Sequence, residues 1–242
     1  MKLACASGAL HRTIESGELT QLEFLDLCAR ELACDGVVLD VRHFPRTDDD
    51  YLAQVKKMAA DWGLCIAALY DAQLLRDGRD RAGEILRHAA ALGAPLVGAP
   101  LGGERDFPWS EQLERLSDAT ADAKRYNVTL ALRNLPQTYA ASTHDCKRAI
   151  KEADSAWLRY GPQPAALDSA SDPLALAGNS VLLWSAAPSA SREAGQIAAA
   201  FADFRGFVAL DEPVGEASAQ SLRAALEIWR DALCEKRTPD RK

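Results

Sequence analysis

Five charged residues stand at the ends of short apolar runs, and their types suit shared chemistry. Asp40 and Arg42 close G-V-V-L-D-V-R, Arg133 closes V-T-L-A-L-R, Asp168 ends P-A-A-L-D, and Asp211 ends F-V-A-L-D. Carboxylates such as Asp168 and Asp211 orient hydroxyls and exchange protons. Arg133 and Arg42, permanently charged, hold anions or hydroxyl-rich ligands through a fixed fork of donors. Trp184 ends V-L-L-W and offers a flat aromatic face for stacking, as the aromatic walls of small-molecule pockets do. Asn134 and His43 each directly follow one of the arginines and add polar contacts beside it.

These residues need elements to bring them together. Apolar runs rich in β-branched residues predict strands at Leu3–Ala6, Gly36–Val41, Leu64–Tyr70, Pro95–Ala99, Val128–Asn134, Pro164–Asp168, Val181–Ser185 and Phe207–Asp211. Amphipathic segments between them predict helices at Thr20–Ala33, Asp49–Trp62, Asp80–Leu92, Pro108–Tyr126, Thr143–Ala153, Ser191–Phe204 and Ala217–Glu235, with one or two turns at Asp172–Ala177. Gly63 and Gly93 stand where helix C-caps belong, and Ser142 or Thr143 caps the helix that follows. Eight strands alternating with helical segments on short links describe a (β/α)8 TIM barrel of α/β class, with parallel strands. The competing architecture is a doubly wound open sheet, which usually has fewer strands; no glycine-rich phosphate loop follows the first strand. The reading is one domain over residues 1–235 with a frayed charged tail over 236–242.

A barrel places its chemistry at the C-terminal ends of its strands, and period-two alternation sorts the faces. Thr129, Ala131 and Arg133 share one face of strand five, opposite Val128, Leu130 and Leu132. Val38, Asp40 and Arg42 lie together on strand two, Ala166 and Asp168 on strand six, Leu182 and Trp184 on strand seven, and Phe207, Ala209 and Asp211 on strand eight. The five charges therefore converge on the barrel mouth. Isolated buried charges are too costly to keep, so these must pair, meet water or meet a ligand. A salt-bridged network that merely plugs the barrel top is the alternative. The segment R-H-F-P, Arg42 to Pro45, is a turn at the same mouth; Leu101–Pro108 reads as a solvated loop or a flap, and Asp71 as a site residue or a cap.

Composition removes several classes. A formal net charge of −7 argues against a nucleic-acid groove, which needs clustered Lys and Arg. No run approaches the roughly 20 apolar residues of a membrane span. The six cysteines are scattered without C-x-x-C spacing, which reads as reduced, buried thiols in a cytoplasmic protein.

The residues resemble the xylose isomerase-like TIM barrels, a family that includes sugar-phosphate isomerases and epimerases and the endonuclease IV group. The carriers are D-G-V-V-L-D-V at Asp35 to Val41, V-T-L-A-L-R-N-L-P at Val128 to Pro136, A-A-L-D-S-A-S-D at Ala165 to Asp172, and G-F-V-A-L-D-E-P at Gly206 to Pro213. The resemblance implies one divalent metal held by a glutamate ending strand five, an aspartate ending strand six, a nearby histidine and a glutamate ending strand eight. This sequence departs from that set. Arg133 stands at the strand-five glutamate, Ser171 where a histidine commonly follows, and Trp184 where strand seven often supplies another histidine. Asp168 matches, and Asp211 is a shorter acid with Glu212 beside it. An arginine cannot ligate a metal and repels one. No cofactor is therefore expected; a divalent Mn, Mg or Zn ion, if the family site survives, would sit at Asp168 and Asp211.

Three functions follow from the resemblance. The first is a sugar (phosphate) isomerase/epimerase-like barrel with a degenerate metal site, in which Arg133, Arg42, Trp184, Asn134, His43 and Asp40 bind a small sugar or sugar-phosphate-like ligand and Asp168 and Asp211 exchange protons. The second is an active metal-dependent isomerase or epimerase using substitute ligands such as Asp40, His43 or Glu212. The third is a non-catalytic carbohydrate- or anion-binding barrel. His11 and His43 can reach the mouth, whereas His88 and His144 fall on helices. The endonuclease branch needs a histidine-rich metal cluster and a basic surface, which this chain lacks. The resemblance is also compatible with a homo-oligomer.

Overall fold

In a computed structural model, residues 1–168, 170–186, 191–211 and 217–235 are described. The expected tail at 236–242 lies outside them, as does Glu212. Among the described residues, eight parallel strands form one sheet: β1 Lys2–Ala6, β2 Gly36–Asp40, β3 Cys65–Tyr70, β4 Leu96–Pro100, β5 Thr129–Arg133, β6 Leu158–Tyr160, β7 Leu182–Ser185 and β8 Phe207–Leu210. Their order runs β6-β5-β4-β3-β2-β1-β8-β7. The two ends meet through a parallel bridge between Tyr160 and Ser180. The Val181 N–H donates to the Tyr160 carbonyl at 2.9 Å, and the Trp184 N–H to the Pro162 carbonyl at 2.9 Å. The sheet is a (β/α)8 TIM barrel.

Around it lie α1 His11–Glu15, α2 Gln21–Asp26, α3 Asp49–Asp61, α4 Arg79–Leu92, α5 Trp109–Tyr126, α6 Thr143–Ala153, α7 Ser191–Ala200 and α8 Ala219–Glu235. Local chemistry sets several ends. Thr20 and Glu23 form a capping box before α2, and Ser142 and Asp145 form one before α6. Gly93 ends α4 at φ 75°, a left-handed conformation that costs glycine nothing. No helix among the described residues is long and apolar enough to cross a membrane. The thiols of Cys5, Cys28 and Cys146 are buried as expected, but Cys65 and Cys234 are exposed.

The alternation of the strands sorts two cores. Leu3, Val37, Leu39, Leu69, Leu130, Leu132, Val208 and Leu210 pack outward under the helices. Ala4, Ala6, Val38, Ala68, Ala131, Leu182, Trp184 and Ala209 fill the barrel interior. The inner set is mostly alanine, with Val38 and Leu182 beside one large ring, Trp184. That indole fits because β4 carries Gly98 opposite it: a Cβ there would come within 2.8 Å of the Trp184 ring.

Strand six differs from expectation. It is Leu158–Tyr160, paired Leu130 to Leu158 and Leu132 to Tyr160, and not Pro164–Asp168. Pro162 and Pro164 cannot donate to a ladder, so pairing stops before them and Pro164–Ala166 becomes a 3-10 turn. The sixth helical segment is likewise a 3-10 turn, Pro173–Asn179.

Candidate functional site

A cavity of about 480 Å³ opens at the C-terminal ends of the strands, lined by Gly8, His11, Asp40, Arg42, Tyr70, Arg133, Gln163 and Asp211 among others. Arg133 is its centre. The last residue of β5, it is 5% exposed. Its Nη1 donates to Asp211 Oδ2 at 2.6 Å, while Nε and Nη2 donate to Gln163 Oε1 at 3.1 and 2.7 Å. The guanidinium lies 4.2 Å from the ring centroid of Trp184 and 5.0 Å from that of Tyr70. Trp184 and Tyr70 meet edge to face at 5.3 Å, so they form a fixed aromatic floor for the cation. Burial pushes the Tyr70 hydroxyl above its ordinary pKa, against the pull of Arg133. Three of the five guanidinium N–H groups are spent on protein. The other two have no acceptor among the described residues, and Arg133 lines the cavity.

Gln163 is held in turn. Asn134 Nδ2 donates to the Gln163 carbonyl at 3.0 Å, and the Gln163 N–H donates to Asn134 Oδ1 at 2.6 Å. Asn134 is therefore fully buried and fixes Gln163 rather than lining the cavity.

The second ion pair belongs to β2. Asp40 is buried and accepts from Arg42 Nη2 at 2.6 Å and from Arg42 Nε at 3.1 Å. Arg42, half exposed, keeps its charge all the more firmly because of that hydrogen bond. Behind it runs a chain of polar contacts. The Asp40 N–H donates to Ser7 Oγ at 2.9 Å, Ser7 Oγ lies 2.8 Å from His43 Nδ1, and His43 Nε2 lies 2.8 Å from His11 Nδ1. The path links the end of β2 to the cavity edge, where His11 Nε2 lies 3.4 Å from the Glu15 carboxylate.

Burial holds His43 neutral, lowering its pKa from 6.5 to about 4, with nearby Asp40 opposing and His11 and Arg42 reinforcing the shift. The stability consequence has a definite sign. Between pH 6.5 and 4 the unfolded chain takes up the proton and the folded chain does not. Stability therefore falls with pH in that window, by about 2 kcal/mol from this group. Urea melts at pH 7 and pH 4.5 should show this loss in the parent and a smaller one in His43→Gln.

The structure brings Asp40, Arg42, Arg133 and Asp211 to one mouth, and excludes Asp168. With strand six ending earlier, Asp168 is exposed and lines a separate depression with Thr143, His144, Lys147 and Ser171. Trp184 is 1% exposed and lies beneath Arg133 instead of walling the cavity, and His43 is turned to Ser7 and His11. Asp71 is structural: it accepts from Arg81 at 2.7 and 3.1 Å and from the Gln73 N–H at 2.9 Å. The Leu101–Pro108 loop is pinned, with Asp106 on the Gly103 N–H and Tyr139 on the Phe107 carbonyl. The sequence reading missed Gln163, Tyr70 and Gly8. The signal for Tyr70 was its place at the end of β3.

The donors of the described residues alone do not suit a divalent metal. Among the described residues no group of three or more His, Cys, Asp or Glu side chains is placed to hold one. Asp211 and Gln163, the oxygen donors at the centre, are both bound by a fixed positive charge that repels a second cation.

No family model and no curated protein matches the sequence. Solved structures do match. A 3-keto-D-glucoside 4-epimerase from E. coli aligns over 96% of this chain and 99% of its own, at 17% identity and TM-score 0.74. A probable 3-DHS dehydratase from Bacillus anthracis aligns over 95% and 99%, at 13% identity and TM-score 0.74. A xylose isomerase domain protein from Planctomyces limnophilus aligns over 87% and 91%, at 14% identity and TM-score 0.69. The chain has the fold of the xylose isomerase-like TIM barrels.

Proposed function

We propose that the mouth is a carbohydrate site of the isomerase/epimerase kind in which the Arg133 guanidinium occupies the role of a divalent cation. The observation that carries this reading is the buried Arg133, held by Asp211 and Gln163 at the wall of the cavity with two N–H donors not spent on the described residues. A preorganised cation in a site of low dielectric stabilises charge developing on a carbonyl or hydroxyl oxygen. Asp211 lines the same cavity and is the group to exchange a proton with the bound ligand. One structural neighbour is an epimerase of a keto sugar and another a probable dehydratase, so the fold supports both kinds of chemistry. No metal or other cofactor enters this reading.

The charge balance favours uncharged sugars over sugar phosphates. Asp40 offsets Arg42 and Asp211 offsets Arg133, so the described lining of the mouth carries no surplus positive charge for a dianion. A second reading, a binder without turnover, is favoured by one observation: both carboxylates at the mouth are already tied to arginines.

The test is a panel of aldoses and ketoses in D₂O, followed by NMR for deuterium entry at the carbon next to the carbonyl. Exchange that survives EDTA, is lost in Arg133→Met and is unchanged in Asp168→Ala is the expected result. Binding without exchange selects the second reading. Exchange that EDTA abolishes and Mn²⁺ restores, or no sugar binding at all, overturns the proposal.

A further inference from the structure

We infer that the cavity beside the mouth is a second subsite, shaped for a neutral apolar or aromatic substituent on the sugar. This inference rests on the carbohydrate reading of the mouth. The side cavity measures about 220 Å³, and His11 and Arg42 line both it and the main one, so the two are neighbours divided by those side chains. Its remaining walls include Ile14, Phe44 and Pro45. Ile14 and Phe44 are half-buried and packed against the core, each presenting apolar surface at the edge of a polar mouth.

The walls are held in place. Phe44 sits edge to face on Tyr51 at 6.3 Å, and His43 is fixed between Ser7 and His11. A benzene ring fills roughly 150 Å³, so the side cavity has room for one lying against Ile14, Phe44 and Pro45 with its other side toward His11, Glu15, Arg42 and His43. The charges present, Arg42 and Glu15, are of opposite sign and favour neither an anion nor a cation. The ligand that fills both cavities is a glycoside: a polyol head over Arg133 and Asp211, and a phenyl-sized or short alkyl group against Phe44 and Ile14.

Calorimetry with the full chain separates the two parts. Methyl and phenyl glycosides of glucose, galactose and xylose are titrated as pairs. For any head that binds, the phenyl member is expected to bind at least tenfold more tightly, about 1.4 kcal/mol. Benzyl alcohol should compete with the phenyl member only, and Ile14→Glu should erase the phenyl advantage. Equal affinities within every pair overturn the subsite. If no glycoside binds, benzyl alcohol alone decides the subsite, while the aldose and ketose panel decides the carbohydrate reading of the mouth separately. Ring-to-side-chain NOEs at Ile14 and Phe44 keep the subsite, and their absence overturns it.

Discussion

Replacing Arg133 with methionine is expected to destabilise the fold by about 3–5 kcal/mol and to abolish ligand binding. The cost arises less from the lost bond than from what stays behind. Asp211 is 8% exposed and would remain charged without its partner, and Gln163 Oε1 would lose both of its donors. Breaking one side of a buried pair costs more than removing the pair. The double variant Arg133→Met/Asp211→Asn should therefore recover much of the lost stability while staying inactive. Urea denaturation of the three proteins at pH 7 measures this. A companion change, Arg133→Glu, places two acids against Gln163. It should be less stable than Arg133→Met alone, and regain about 2.7 kcal/mol in Mn²⁺ at a hundred times the dissociation constant. Stability indifferent to Mn²⁺ would show that the pocket cannot be converted to a metal site by that single change.

Trp184→Ala is expected to cost about 3–5 kcal/mol, the range for deleting a buried aromatic side chain. Trp184 is among the largest fully buried side chains, and the alanines that make up most of the barrel interior cannot expand to fill the gap. Trp184→Phe should cost far less, because the indole N–H has no acceptor among the described residues and its removal forfeits no hydrogen bond. The two variants also separate stability from ligand binding. In Trp184→Ala the guanidinium of Arg133 loses the face 4.2 Å beneath it, so affinity should fall with stability; in Trp184→Phe a ring remains. Thermal melts and sugar titrations of both variants check the pair of expectations.

Much of the site was legible because a strand buries its two faces differently. V-T-L-A-L-R puts bulky residues on one face and small ones on the other, and the small face must look into the barrel; Arg133 lies at its top. The same logic placed Asp40, Trp184 and Asp211 correctly on the inner face. It failed at Pro164–Asp168, where an apolar run suggested a strand but Pro162 just before it and Pro164 at its start removed the donors a ladder needs. Asp168 went astray with that strand. Gln163 was missed because it belongs to no strand: only the closure between β6 and β7, a contact between distant segments, carries it under Arg133. The hydrogen-bonded path from Asp40 through Ser7 and His43 to His11 was invisible for the same reason, since it joins the ends of β1 and β2.

The aromatic-floored guanidinium has a consequence for how the protein is supplied. A metal centre must be loaded after synthesis, competes for whichever ion is abundant, and can be emptied by a chelator. The positive centre here is translated with the chain. It is present in every folded copy at fixed stoichiometry, cannot be exchanged for a wrong element, and does not vary with the metal status of its surroundings. What it gives up is adjustability: its charge and reach were set when the codon was.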